Sequence, residues 1–407
     1  MARSLRSLYT AQSSRAVASC EMGIEFLPYA IRYTPVADSF VMRFGINFFP
    51  SVEPTQLSGH DYYRQALALA TRADALGYHH IRTVEHYFRG YGGYSPSPVV
   101  FLAAVAQRTQ RVRLVTGAVL PAFNHPIKLA AELAMLDCLS DGRLDAGFAR
   151  AFLPEEFDAF QVPMDESRAR FEEGIAAVKR LWTETEARFD GPFHQFGPLS
   201  LLPRPVQHPH PPIWVAAIQT TESFVWAGEQ GYNLMIVPYL SAFDSVAANL
   251  RAYRESYERA GHGTGGGQVQ MSFHLYVAED GAAARREARA PMEEYIRLFK
   301  RSAAAWVGRT SDQYKGYEQL VNLLDAITYD RVLAETRALI GDPVEVAAQV
   351  RALVAQFGPV EPSLQVMYGD ISEAAAHRSL ELFAAEVMPR LADLSSDPRP
   401  LAATAHR

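Results

Sequence analysis

The residues best suited to chemistry lie in short clusters between positions 83 and 150, with one more near position 220. Glu85-His86 ends an apolar run. An imidazole, with a pKa of about 6.5, can donate, accept or relay a proton at neutral pH. The alternative for His86 is a satisfied structural histidine, but the Gly- and Tyr-rich run that follows (residues 89–94) reads as a pocket rim. Glu85 either orients that ring or faces a barrel interior and holds an arginine. Thr116-Gly117 places a glycine inside a strand, which weakens the strand unless something must approach the backbone closely, such as a flat ring. Asn124-His125-Pro126 reads as a helix start capped by Asn124, with His125 left open between cap and pocket. Arg150 ends another apolar run and suits an anion, the alternative being an ion pair with Glu155 or Glu156. Gln219, Thr220, Glu222 and Ser223 surround a predicted helix start whose free amides and dipole suit a phosphate, the alternative being a cap by Thr221. Asp141-Gly142-Arg143 reads as a tight turn on the face away from the chemistry.

Positioning these clusters requires strands alternating with helices. Apolar runs at 44–49, 80–84, 112–120, 144–148, 213–217, 233–237, 269–278 and 363–368 read as eight strands. Helical periodicity fills most of the gaps, for example at 61–76, 126–139, 166–182 and 243–260. Such alternation predicts a parallel sheet, and eight units predict a closed (β/α)8 TIM barrel with the chemistry at the strand C-termini. Residues 190–212 read as irregular. Residues 279–362 read as a helical insertion between strands seven and eight, with breaks at Gly308, Gly316 and Gly341-Asp342-Pro343.

The chain has 407 residues, a net charge of -6 and 48% hydrophobic residues, enough for one large barrel and without a basic field for nucleic acid or membrane. No apolar run reaches the about 18 residues of a membrane span. Two cysteines, Cys20 and Cys138, make no disulfide framework, so a cytoplasmic location is expected. Residues 1–41 read as a poorly ordered upstream extension, 42–395 as the barrel and 396–407 as a tail. His208-Pro209-His210 lacks metal partners, and no metal site is expected. The Gly-rich run 261–267 matches neither a P-loop nor a dinucleotide fingerprint.

In their order along the chain, several motifs resemble the bacterial luciferase-like, flavin-dependent monooxygenases. They are Glu85-His86, Leu120-Pro121 with His125-Pro126, Asp137 through Gly142-Arg143, Gly147 to Arg150 and Trp214-Val215-Ala216-Ala217 leading to Glu222-Ser223. Gly341-Asp342-Pro343-Val344-Glu345 and Val387-Met388-Pro389 continue the likeness, which covers nearly all of 42–390. The resemblance implies reduced FMN, supplied by a separate flavin reductase, with O2 as co-substrate and a small organic molecule as substrate. It implies catalytic roles for His86 and Glu85, a flavin ring against Thr116-Gly117, and a phosphate held by Arg150 with Gln219, Thr220, Glu222 and Ser223. It also implies a homodimer. Two positions depart from luciferase itself: Tyr87 replaces a second histidine, and Ala149 replaces a reactive cysteine.

Phe48, Phe49, Tyr87, Phe123 and Phe152 are the aromatics expected around an apolar pocket. Other readings are a deazaflavin-dependent oxidoreductase on the same fold, a non-catalytic flavin-binding barrel, and a metal-dependent hydrolase, the last disfavoured for want of a clustered ligand set.

Overall fold

The computed structural model describes residues 41–398 apart from 316, 318–323 and 325. The expected extension lies outside these but for its last residue, as do Gly316 and the tail from 399. Strand β1 (Gly45–Phe48) leads through α1 (Gly59–Leu76) to β2 (His80–Thr83), and α2 (Pro98–Ala106) to β3 (Arg113–Thr116). Next come α3 (Pro126–Leu139), β4 (Leu144–Phe148), α4 (Pro154–Phe160), α5 (Ser167–Thr183) and an antiparallel hairpin of β5 (Ala187–Asp190) and β6 (Gln195–Leu199). The alternation resumes with β7 (Ile213–Ala217), α6 (Thr221–Glu229), β8 (Asn233–Ile236), α7 (Phe243–Arg259) and β9 (Val269–Val277). Helices α8 (Gly281–Glu287), α9 (Arg289–Ala303) and α10 (Tyr329–Ala334) precede β10 (Leu339–Gly341), α11 (Pro343–Phe357), β11 (Glu361–Gln365) and α12 (Glu373–Leu382).

The strands β9-β11-β1-β2-β3-β4-β7-β8 pair in that order, and β8 pairs back to β9, closing an eight-stranded parallel barrel. Alternate side chains point to opposite faces. Ile46, Phe48, Ile81, Phe273 and Leu364 point outward and pack with helix residues such as Leu69, Leu102 and Leu250. Their neighbours Asn47, Arg82, Ser272, Ser363 and Gln365 are buried and polar. Arg82 reaches from β2 to Asn47 Oδ1 (3.3 Å) and to the Ser272 hydroxyl on β9, while His80 Nε2 meets Ser363 Oγ at 2.9 Å. At the N-terminal end of the lumen, Arg43 pairs with Glu361 at 2.6 Å and Arg113 with Asp145 at 2.8 Å.

Three stretches differ from the sequence reading. The segment expected to be irregular is preceded and opened by the β5–β6 hairpin, on which Phe189 and Phe196 stack at 5.7 Å between centroids. Within the region expected to be helical, β10 extends along β9, Leu339 opposite Leu275. Strand β11 begins two residues early, because Glu361 turns inward to Arg43 although Glu-Pro looks like loop. His79, His80 and Glu361 also bring ligand atoms within 4.8 Å of one another at the strand N-termini, a grouping hidden by their sequence separation, though Arg43 occupies the carboxylate. Among the described residues no helix is long and apolar enough to cross a membrane.

Burial raises the Glu361 pKa from 4.5 to about 7, against the pull of Arg43. A raised acid pKa adds stability that is full below the unfolded value and is lost as pH rises through the folded value. Glu361→Gln removes that titration, although orphaning Arg43 weakens the variant at every pH. Urea unfolding at pH 5 and pH 8 should therefore show the wild-type advantage shrinking by roughly 2 kcal/mol. An advantage independent of pH would contradict it.

Candidate active site at the strand C-termini

The strand ends converge on a cavity whose wall includes Glu85 and His86 after β2, Gly117 and Ala118 after β3, and Ala149 and Arg150 after β4. Gln219, Thr220 and Ser223 close one side at the start of α6. Phe299 on α9, with Tyr314 and Tyr317, covers it from above.

His86 leaves β2 with its backbone N–H donating to Ser95 O at 3.0 Å. Its ring is held on three sides by Phe49, Tyr91 and Phe152, at 5.5, 6.0 and 5.6 Å between centroids. Gly92 (φ +84) lets the rim loop lie against the imidazole, where a Cβ would collide with the ring. Nδ1 lies 3.0 Å from Glu156 Oε1, and the Tyr87 amide donates to the same oxygen at 2.9 Å. An acceptor shared with an amide N–H fixes the tautomer with hydrogen on Nδ1, leaving Nε2 as the atom that can take or give a proton. Glu156 comes from α4, seventy residues on, and Oε2 has no partner in its buried setting. The sequence reading assigned it only as a partner for Arg150.

Glu85 does neither of the things expected of it. Its carboxylate accepts from Leu120 N (3.0 Å), Asn124 Nδ2 (3.0 Å) and Tyr87 OH (2.7 Å), so it ties the β2 end to the loop after β3. Burial raises its pKa to about 7, resisted by those three donors. Asn124 is thereby drawn from its expected cap, and His125 caps α3 instead, accepting from Ile127 N at 3.3 Å. His125 stands outside the cavity, stacked edge-on against His194.

The Gly117–Ala118 peptide bond is cis. Gly117 lines the cavity, whereas Thr116 does not: its hydroxyl accepts from Gly147 N (2.7 Å) and donates to Gly147 O (2.9 Å), locking β3 to β4. Arg150 is not paired with Glu155 or Glu156, which bind Arg89 and His86. It donates to Gln313 O (2.8 Å) and Ser167 Oγ (3.2 Å), lies over the Tyr314 ring at 4.6 Å, and keeps a buried Nε without partner. At α6 the N-cap Thr220 makes no side-chain cap bond, and its hydroxyl meets Ser223 Oγ at 2.8 Å. Thr221 is turned away to Asn249 Oδ1 (2.7 Å). Arg168 adds a cation the sequence reading missed, with Nη2 3.3 Å from Ser223 Oγ. Glu222 is exposed and outside the cavity wall.

Of the expected aromatics, Phe49 and Phe152 line the cavity. Phe48 packs on Phe101 outside the barrel and Phe123 stacks on Phe160. Asp141-Gly142-Arg143 does turn before β4, with Arg143 donating to the carbonyls of Ala106 at the end of α2 and Thr109 just beyond it.

Residues 42–360 match the luciferase-like monooxygenase family. The oxygenase component of a flavin-dependent trigonelline monooxygenase from Acinetobacter baylyi is 30% identical over 88% of the chain and 98% of its own length. A monooxygenase from Streptomyces bottropensis of known structure is 45% identical, with a TM-score of 0.77 over 86% of the chain and 99% of its own. The oxygenating constituent of 3,6-diketocamphane monooxygenase from Pseudomonas putida, solved with FMN, shares the fold at 20% identity and a TM-score of 0.72, covering 86% of this chain and 99% of that one.

Removing the Glu156 carboxylate strands two buried donors, the Tyr87 amide and His86 Nδ1. Glu156→Ala should cost about 2–6 kcal/mol in urea unfolding, at about 1–3 per orphaned group. Nitrogen NMR of His86 should change from the single Nδ1–H tautomer to a mixture. An unchanged tautomer would show that Glu156 does not set it.

Proposed function

The chain belongs to the luciferase-like monooxygenase family, and from that premise we propose that it is an FMN-dependent oxygenase component. It would take reduced FMN from a separate flavin reductase and pass one oxygen atom of O2 to a small organic substrate. The observation that carries this reading is a cavity with a phosphate-suited group of donors and a histidine, whose wall includes the small residues Gly117, Ala118 and Ala149.

The unpartnered Nε of Arg150, the uncapped first turn of α6 and the Thr220 and Ser223 hydroxyls offer donors to a phosphate. Arg168, paired with Glu172, stands behind Ser223 outside the cavity wall. Gly117 and Ala118 present a surface on which a flat ring can lie. When bound there, reduced FMN would supply the electrons that activate O2. His86, with Nδ1 committed to Glu156, holds Nε2 available for proton transfer. Glu85 acts through position, fixing the loop that carries Leu120 and Asn124 beside the wall. Phe49, Tyr91 and Phe152 keep water from the histidine. Thr116 and Glu222 have no direct part in this arrangement.

Fluorescence titration with FMN, riboflavin and a deazaflavin tests the reading. Arg150→Ala should weaken FMN at least about tenfold, the worth of one charge-assisted pair, and riboflavin hardly at all. Equal losses for both flavins would contradict phosphate recognition, and binding confined to the deazaflavin would replace FMN as the cofactor.

A further inference from the structure

The lumen beneath this cavity holds a cation that the proposed function leaves unused. Arg82 is 3% exposed and lines the cavity from below. Its Nε donates to Asn47 Oδ1 at 3.3 Å and its Nη2 to the Ser272 hydroxyl, while Nη1 has no partner. The other lumen arginines each face a carboxylate, Arg43 against Glu361 and Arg113 against Asp145. Among the described residues no carboxylate pairs with Arg82, and burial lowers its pKa to about 10, so the guanidinium stays charged at neutral pH. Burying an unpaired cation is unfavourable, and folds retain one where something else completes it.

Position narrows what completes it. The Arg82 stem lies directly under Gly117, whose missing Cβ would otherwise run into it. A flat group resting on the Gly117–Ala118 wall therefore sets an edge near the guanidinium. Phe49, Tyr91, Tyr239 and Phe299 line the same cavity, which suits an aromatic ring carrying a negative oxygen.

We propose that Arg82 forms an anion subsite at the cavity floor, separate from the phosphate donors at Arg150, that pairs with an anionic oxygen of the bound ligand. Two sources share this chemistry. One is the acid group of an aromatic substrate. The other is the pyrimidine edge of reduced flavin, which is anionic at neutral pH, and only this source rests on the proposed function.

The test uses the flavin-free full-length protein, with benzoate against benzamide as one pair of probes and reduced against oxidised FMN as the other. Calorimetric dissociation constants in wild type should favour the anionic member of at least one pair by about tenfold. Arg82→Met, which keeps the stem and drops the charge, should abolish that preference while circular dichroism stays native. Loss of the benzoate preference identifies a substrate acid; loss of the reduced-flavin preference identifies the flavin edge. A folded Arg82→Met that keeps every preference overturns the proposal. Wild type that prefers neither anion overturns it too, without need of a variant that folds. FMN that fails to bind in either state would contradict the proposed function, while the benzoate pair would still decide the subsite.

Discussion

A closed parallel barrel gives every strand one face toward a lumen that water does not enter, and this chain fills much of that lumen with charge. Period-two alternation along β2 sends His80 and Arg82 inward and leaves Ile81 for the helical shell. The same alternation along β11 sends in Glu361, Ser363 and Gln365. Buried charges tolerate few positions, because each needs a partner at hydrogen-bond distance. Arg43 against Glu361 and Arg113 against Asp145 thus add side-chain ties between neighbouring strands, and His80 against Ser363 reaches across β1 from β2 to β11. A one-residue slip of any of these strands would move a charge into the apolar shell.

The same constraint sets the mouth of the barrel. Glu85 and Glu156 are both buried there, and their mutual repulsion adds to the burial that raises Glu85. They coexist because their donors are divided between them. Leu120, Asn124 and the Tyr87 hydroxyl serve Glu85, while His86 and the Tyr87 amide serve Glu156. Tyr87 thereby bridges both carboxylates, one with its side chain and one with its backbone. This gives a physical reason for a tyrosine where luciferase has a second histidine: a hydroxyl donates to Glu85 without titrating near neutral pH, and burial with the two carboxylates raises its pKa further.

The barrel was legible because apolar runs and helical periodicity are local signals, and eight of them in order leave little choice of topology. His86 and Arg150 were legible as cavity residues because each ends an apolar run, and Gly117 because a glycine inside such a run invites close approach to the backbone. Glu156 was not, since its meaning depends on how α4 folds back over β2, which no local pattern encodes. Thr116 and Glu222 were chosen by adjacency to good candidates, but alternation turns Thr116 toward Gly147, and helical rotation turns Glu222 to solvent. Asn124 looked like a cap because capping is the usual use of Asn before a helix, whereas the Glu85 carboxylate is a stronger claim on its amide. Arg82 passed unnoticed because an arginine inside a short strand looks the same from sequence whether it faces water or the lumen.

The most direct test of the account is the rate at which anaerobically reduced FMN, bound to the protein, is reoxidised after stopped-flow mixing with O2. The account predicts reoxidation clearly slower than for free reduced FMN, because the aromatic enclosure excludes water and His86 governs the proton, with His86→Ala moving it back toward the free rate. Reoxidation at the free-flavin rate in wild type, or a rate indifferent to His86, would contradict it.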